Sequence, residues 1–138
     1  MSTAPRLTDW RPRLSAYMAE TAHQGFRYGS NDCALFAAGA VRAMTGHDPA
    51  AGYRGSYTTL EGGLKRLRKA GFADHIDQAA SLFEEIHTAF AQVGDIAMIE
   101  GPEGPVLGIV VGEMVACLRP DGLGHLSRDL AKRAWAVR

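Results

Sequence analysis

Asp32-Cys33 lies between an aromatic-glycine turn and a run of small and apolar residues, in the stretch Phe26-Arg27-Tyr28-Gly29-Ser30-Asn31-Asp32-Cys33-Ala34-Leu35-Phe36. A cysteine in the first turn of a helix meets unpaired backbone N–H groups and the positive end of the macrodipole. Both favour thiolate over thiol. A working thiol nucleophile also needs a base, usually a histidine on a neighbouring strand, and a third polar group to hold that base. The competing reading is a small buried hydrophobe, the ordinary fate of a free cysteine. Gly29, Asp32 and the helix start favour the chemical reading, because they explain why a cysteine should stand at a helix mouth.

The elements that must position this thiol follow from periodicity and caps. Trp10 to Ala22 reads as a helix with Asp9 as N-cap, Pro12 in its first turn and Leu14, Tyr17, Met18 and Thr21 as its inner stripe. Gly25 to Asn31 is a turn. Asp32 or Asn31 caps a second helix that runs to about Met44 and stops at Gly46. Ala34, Ala37, Ala38, Gly39, Ala40 and Ala43 make this helix small on most sides, so it is expected at the centre of the fold. Thr58 with Glu61 reads as a capping box for a third helix, with Leu60, Leu64 and Leu67 on one face. Residues 72–93 leave two readings open. Ser81 with Glu84 could cap a helix bearing Leu82, Phe83, Ile86 and Phe90, or Phe83 to His87 could be a short extended piece.

From Gly94 the pattern turns to strands. Asp95 to Glu100 and Val106 to Val111 flank the turn Gly101-Pro102-Glu103-Gly104-Pro105. Val106 to Val111 is apolar on both faces and hence central. Gly112-Glu113 is a tight hairpin leading to Met114–Leu118, His125 lies on a fourth strand, and Ala134 to Arg138 closes the sheet. Helices followed by an antiparallel meander make a single α+β domain over residues 1–138, with 1–9 a polar lead-in.

The bulk composition removes several function classes. The chain has 138 residues, 46% hydrophobic and 22% charged, with 15 basic against 15 acidic residues. This balance leaves no electrostatic footprint for nucleic acid or an anionic membrane. The basic run Lys65-Arg66-Leu67-Arg68-Lys69 reads as the wet, C-terminal end of a helix. Cys33 and Cys117 form no disulfide framework and cannot close a zinc site unaided, and no histidine–acid pair has a ligand spacing. No metal or cofactor is expected. The N-terminus lacks an apolar run, so no signal peptide is expected, and no segment approaches a membrane span.

Tyr28-Gly29-Ser30-Asn31-Asp32-Cys33, followed by Gly94-Asp95-Ile96 and then by Gly108-Ile109-Val110-Val111-Gly112, resembles the NlpC superfamily of papain-like cysteine peptidases, which cut peptidoglycan stem peptides. Residues 10–118 carry the resemblance. The lack of a signal and the ending Trp135-Ala136-Val137 are similar to the short variants found among tail genes of bacteriophages and gene-transfer particles. The resemblance implies a papain-like fold with the cysteine helix packed on a C-terminal antiparallel sheet. It implies Cys33 as nucleophile, Asp32 as the motif residue beside it, Tyr28 lining the cleft, and Gly29 and Gly94-Asp95 as turn positions.

The resemblance also implies a virion location in a phage tail, tail hub or tip proteins as partners, and a stem peptide as substrate. Where the family strand opens His-x-Gly-Ile, this chain has Val106, and the place of the orienting polar residue falls near Leu118. The expected activity is therefore that of a cell-wall peptidase working with another base, or a degenerate one. The alternative is a non-catalytic structural or adaptor component of a tail. His125, given freedom by Gly122 and Gly124, is the candidate replacement base; its competing reading is a surface loop histidine. His47 stands about a helix length, ~18 Å, from the mouth. His23 precedes the turn, and nothing in the pattern recommends His75 or His87.

Overall fold

The computed structural model describes residues 5–102 and 104–138; residues 1–4 of the lead-in and residue 103 of the expected turn lie outside the described residues. Four α-helices are described: α1 (Trp10–Thr21), α2 (Cys33–Thr45), α3 (Leu60–Lys69) and α4 (His75–Leu82). Six strands follow in one antiparallel sheet: β1 (Glu84–Ile86), β2 (Ile96–Gly101), β3 (Gly104–Val110), β4 (Met114–Arg119), β5 (Gly122–Ser127) and β6 (Arg133–Ala136). Their order across the sheet is β1-β6-β2-β3-β4-β5. The α+β class is thus as expected. The meander holds from β2 to β5, but β6 does not extend it. β6 returns to the opposite side and inserts between β1 and β2, pairing Trp135 with both Glu85 and Ile96.

The small residues of α2 explain its central place. Phe36, Ala37, Ala40, Val41 and Met44 pack on the sheet residues Ile96, Met98, Leu107, Ile109, Ala116, Leu118 and Trp135, together with Leu14 of α1 and Ile76 and Ala79 of α4. On its outer side α2 meets α1 at Gly39, where Tyr17 crosses and donates its hydroxyl to the Phe36 carbonyl (2.8 Å). Burial pushes the Tyr17 phenol up to about 12. The other sheet face carries a second apolar layer of Ala97, Ile99, Val110, Val115, Cys117 and Ala134. Both faces of β3 are buried at its C-terminal half, as its unbroken apolar run requires.

Several boundaries differ from expectation for local reasons. Asp9 precedes α1, but its carboxylate takes Arg13 Nε (2.8 Å) and caps no amide. α3 is capped one residue later than the expected capping box: Thr59 accepts from the Gly62 amide, and Glu61 complements the dipole from the first turn. Between 72 and 93, Asp74 caps α4 by accepting from the Asp77 amide. Phe83 then goes extended, so the short strand reading holds and the Ser81-capped helix does not form.

Asp95 sits at the far end of the sheet, fully buried. Its carboxylate accepts from Arg6 Nη2 (3.0 Å), the Val137 amide (3.0 Å), the Gln92 amide (2.9 Å) and Arg138 Nη2 (2.5 Å). It joins both ends of the described chain to the start of β2. Truncating one partner of a buried ion pair leaves the other charge uncompensated and costs roughly 3–5 kcal/mol. Asp95→Ala is therefore expected to lose that much in urea unfolding, with Asp95→Asn losing less. A loss of below about 1 kcal/mol, the value of an exposed pair, would show that Asp95 is not the tie it looks.

Candidate functional site

Cys33 is the first residue of α2, and Asp32 is its N-cap. The Asp32 side chain is buried and fully used: Oδ1 accepts from the Leu35 amide (3.0 Å), and Oδ2 from the Gly29 amide (3.0 Å) and the Tyr57 hydroxyl (2.5 Å). Gly29 has φ of +88°, and a Cβ there would lie 1.8 Å from the Tyr57 carbonyl oxygen. Only glycine fits, because the turn backbone runs against the loop that brings Tyr57 in. The Tyr57 phenol ionises far above its ordinary range, through burial and then its bond to the Asp32 carboxylate.

Asp32 also alters the expected chemistry of Cys33. A free helix mouth would stabilise thiolate, but here a carboxylate already occupies that mouth. Burial first, and the Asp32 charge second, push the Cys33 thiol up to about 11, although the backbone amides of Leu107 and Ala34 act in the opposite sense. The expectation of a thiol ionised by the helix dipole is therefore not met. Cys33 remains partly exposed, facing a cavity of about 280 Å³ shared with Tyr28, Leu64, His75, Val106 and Arg119. A smaller cavity of about 60 Å³ continues from Cys33 towards Tyr53, Tyr57 and Leu67. Tyr28 lines both and packs edge-on against Phe26 at 4.8 Å between centroids.

The cavity exists because β3 and β4 part company. Among the described residues their register pairs only Ile109 with Ala116 and Val110 with Val115, with the Val111 amide bonding the Met114 carbonyl (2.9 Å) beyond them. At Gly108 the strands press together, since a Cβ there would stand 2.7 Å from the Ala116 carbonyl oxygen. Before it, the β3 edge at Pro105 and Leu107 has no strand partner on this side among the described residues. The Val110 amide and carbonyl bond towards β2 at Asp95 and Gly94, so by alternation the odd-numbered backbone groups of β3 face the gap. His75 Nε2 donates to the Pro105 carbonyl (2.9 Å), and the Leu107 amide favours a Cys33 thiolate. Both side chains therefore address the same short piece of strand edge.

His75 is thus the histidine that the fold brings to the Cys33 cleft. Because a carbonyl can only accept, Nε2 is the protonated nitrogen in this bond, and Nδ1 is the ring nitrogen not engaged by Pro105. Sequence spacing held no hint of this, because α4 reaches the site only through tertiary packing; the one local signal was Asp74 as a helix cap that makes His75 a first-turn residue. His125 is not brought to Cys33. It stands on β5 opposite Ala116 and lines a separate cavity with Trp10, Leu14, Met18, Val93 and Val111. Gly94 and Asp95 lie at the other end of α2, beside Met44 and Arg6, and serve the architecture there. Val106 packs in the outer apolar layer, whereas Leu107 faces the helices. Cys117 is buried in that outer layer, its thiol also raised by burial. Among the described residues, no three His, Cys, Asp or Glu side chains gather as metal ligands, and no helix is long and apolar enough to cross a membrane.

These features define a six-stranded α+β domain with a cysteine and a histidine in one cleft beside its central helix. A family model described as a domain of unknown function, DUF6950, matches residues 5–137, and the chain belongs to that family. Comparison with curated proteins returns no match.

The thiol geometry has a direct readout. Iodoacetamide labelling of Cys33 in a Cys117→Ala background should rise with a midpoint near pH 11. Asp32→Asn removes the adjacent charge and should move the midpoint down. A wild-type midpoint at or below pH 8.5, the ordinary cysteine value, would contradict the role assigned to burial and Asp32.

Proposed function

We propose that this chain is a papain-like domain of the NlpC type that acts, as a component of a phage tail, on the peptide stems of peptidoglycan, with Cys33 as nucleophile and His75 as base. The observation that carries the reading is that both residues line one cleft at the mouth of α2, with the imidazole held by a backbone carbonyl. The order of Tyr28-Gly29, Asp32-Cys33, Gly94-Asp95 and Gly108 along the chain supports the same kinship.

The raised thiol dictates the sequence of proton transfers. With a pKa of about 11, roughly one molecule in ten thousand carries a thiolate at pH 7. Attack on a peptide carbonyl then needs the Cys33 proton to pass to His75 Nδ1 as the C–S bond forms. The imidazolium returns that proton to the leaving amine as the C–N bond breaks, and water, deprotonated by the same ring, hydrolyses the thioester. Asp32 is a positioning residue in this scheme, held by the Leu35 and Gly29 amides and the Tyr57 hydroxyl.

A second reading is favoured by the same raised thiol and by Val106 where the NlpC superfamily carries its histidine: a non-catalytic domain that docks a segment of a tail hub or tip protein in this cleft. Incubation of purified peptidoglycan with the protein separates the two. Chromatography should show soluble muropeptides from wild type, none from Cys33→Ala, and a loss of ~10²–10⁴-fold for His75→Gln, the usual worth of general base assistance. His125→Gln should match wild type. Absence of release from wild type, or equal release from Cys33→Ala, would end the peptidase reading and leave the docking one.

A further inference from the structure

We propose that the small cavity beyond Cys33 is a subsite for one short aliphatic side chain of the bound peptide, walled by α2, α3 and the 50–57 loop; this rests on the reading of the cleft as a peptide site. The cavity measures about 60 Å³ and shares Tyr28, Cys33 and Leu64 with the larger one, so a side chain can pass into it beside the thiol. Leu35, Ala50 and Leu67 line it without lining the larger cavity, and all three are buried. Asp32, Tyr57, His75 and Gln78 on its wall are already engaged. The Tyr57 hydroxyl donates to Asp32, and His75 Nε2 donates to the Pro105 carbonyl. Gln78 Nε2 turns to the Pro49 carbonyl (3.5 Å). A charged side chain would lose its water here without gaining a partner, whereas an apolar one gains from burial.

The size limit comes from walls that are tied in place. Arg66 of α3 donates to the Gly52 carbonyl (3.2 Å) and lies over the Tyr53 ring at 4.9 Å, which ties the loop to α3. Arg54 pairs with Asp48 (2.7 Å) and reaches the Leu35 carbonyl (3.4 Å), which ties the same loop to α2. Behind Tyr57 stands Gly63, where a Cβ would come 3.0 Å from the ring, so the ring is already against α3. A dry apolar cavity of ~150 Å³ takes up a benzene molecule. On that scale 60 Å³ has room for about two or three carbons, the side chain of alanine up to that of valine.

The test reads binding alone. Full-length Cys33→Ser protein is titrated with the neutral peptides N-acetyl-Ala-X-Ala-amide, with X as Gly, Ala, Val, Leu or Phe, and amide chemical shifts give each affinity. Affinity should rise from Gly to Val by about fourfold per buried carbon, with the Leu35, Ala50 and Leu67 amides shifting. It should fall by about tenfold or more from Val to Phe, because the larger ring overpacks the site. Leu64→Ala, on the wall common to both cavities, should move the optimum to Leu or Phe, and Ala50→Val should flatten the rise; an unchanged spectrum away from the cavity checks the fold of each variant. Equal affinity across the series, a rise that continues through Phe, no binding of any peptide, or a profile unmoved in both variants overturns the proposal. A size preference without muropeptide release keeps the subsite and ends the hydrolytic reading. Cys33-dependent release without a size preference removes the subsite alone.

Discussion

The Asp32 carboxylate joins three parts of the chain, the Gly29 turn, the first turn of α2 and the Tyr57 loop, and the Gly55 amide adds a bond to the Gly29 carbonyl (2.8 Å). Each bond satisfies a donor that burial would otherwise strand, so the three segments fold as one unit around it. The same placement sets the chemistry next door. Burial first, and the negative cap at the helix mouth second, hold the Cys33 thiol protonated.

A second carboxylate, Asp95, does comparable work at the opposite end of α2. It gathers Arg6, the Val137 amide and Arg138, and so secures the segment before α1 and the segment after β6 against the start of β2. The two ends of the central helix are thus fixed by different means. One end is neighbour to the cleft, and the other is purely architectural. The order Tyr-Gly, Asp-Cys, Gly-Asp along the chain mixes residues from both ends.

What could be read from the chain followed the range of the forces involved. α2 was legible in full, because Asp32, the small-residue run and Gly46 are signals within one helix. The strands from β2 to β5 were legible because hairpins connect neighbours and glycine or proline marks each turn. The cap of α3 was misplaced by one residue because Thr58 and Thr59 are chemically alike, and only the Gly62 amide chooses between them. The insertion of β6 between β1 and β2 depends on pairing over about fifty residues, for which no local pattern exists. His75 was invisible for the same reason: its partner is the Pro105 carbonyl, thirty residues away and without a side-chain signature. His125 stood out for its flanking glycines, yet Gly124 makes room for Arg119.

The two-rung ladder between β3 and β4 divides the sheet into unequal plates. β1, β6, β2 and β3 form one, anchored through Asp95, and the β4–β5 hairpin forms the other. Pro105 and Val106 belong to the first plate, and Leu118 and Arg119 to the second, with Gly108 as the pinch point between them. The aperture above Cys33 therefore lies where these two parts of the sheet share their shortest seam, and the pinch at Gly108 marks the point from which they diverge.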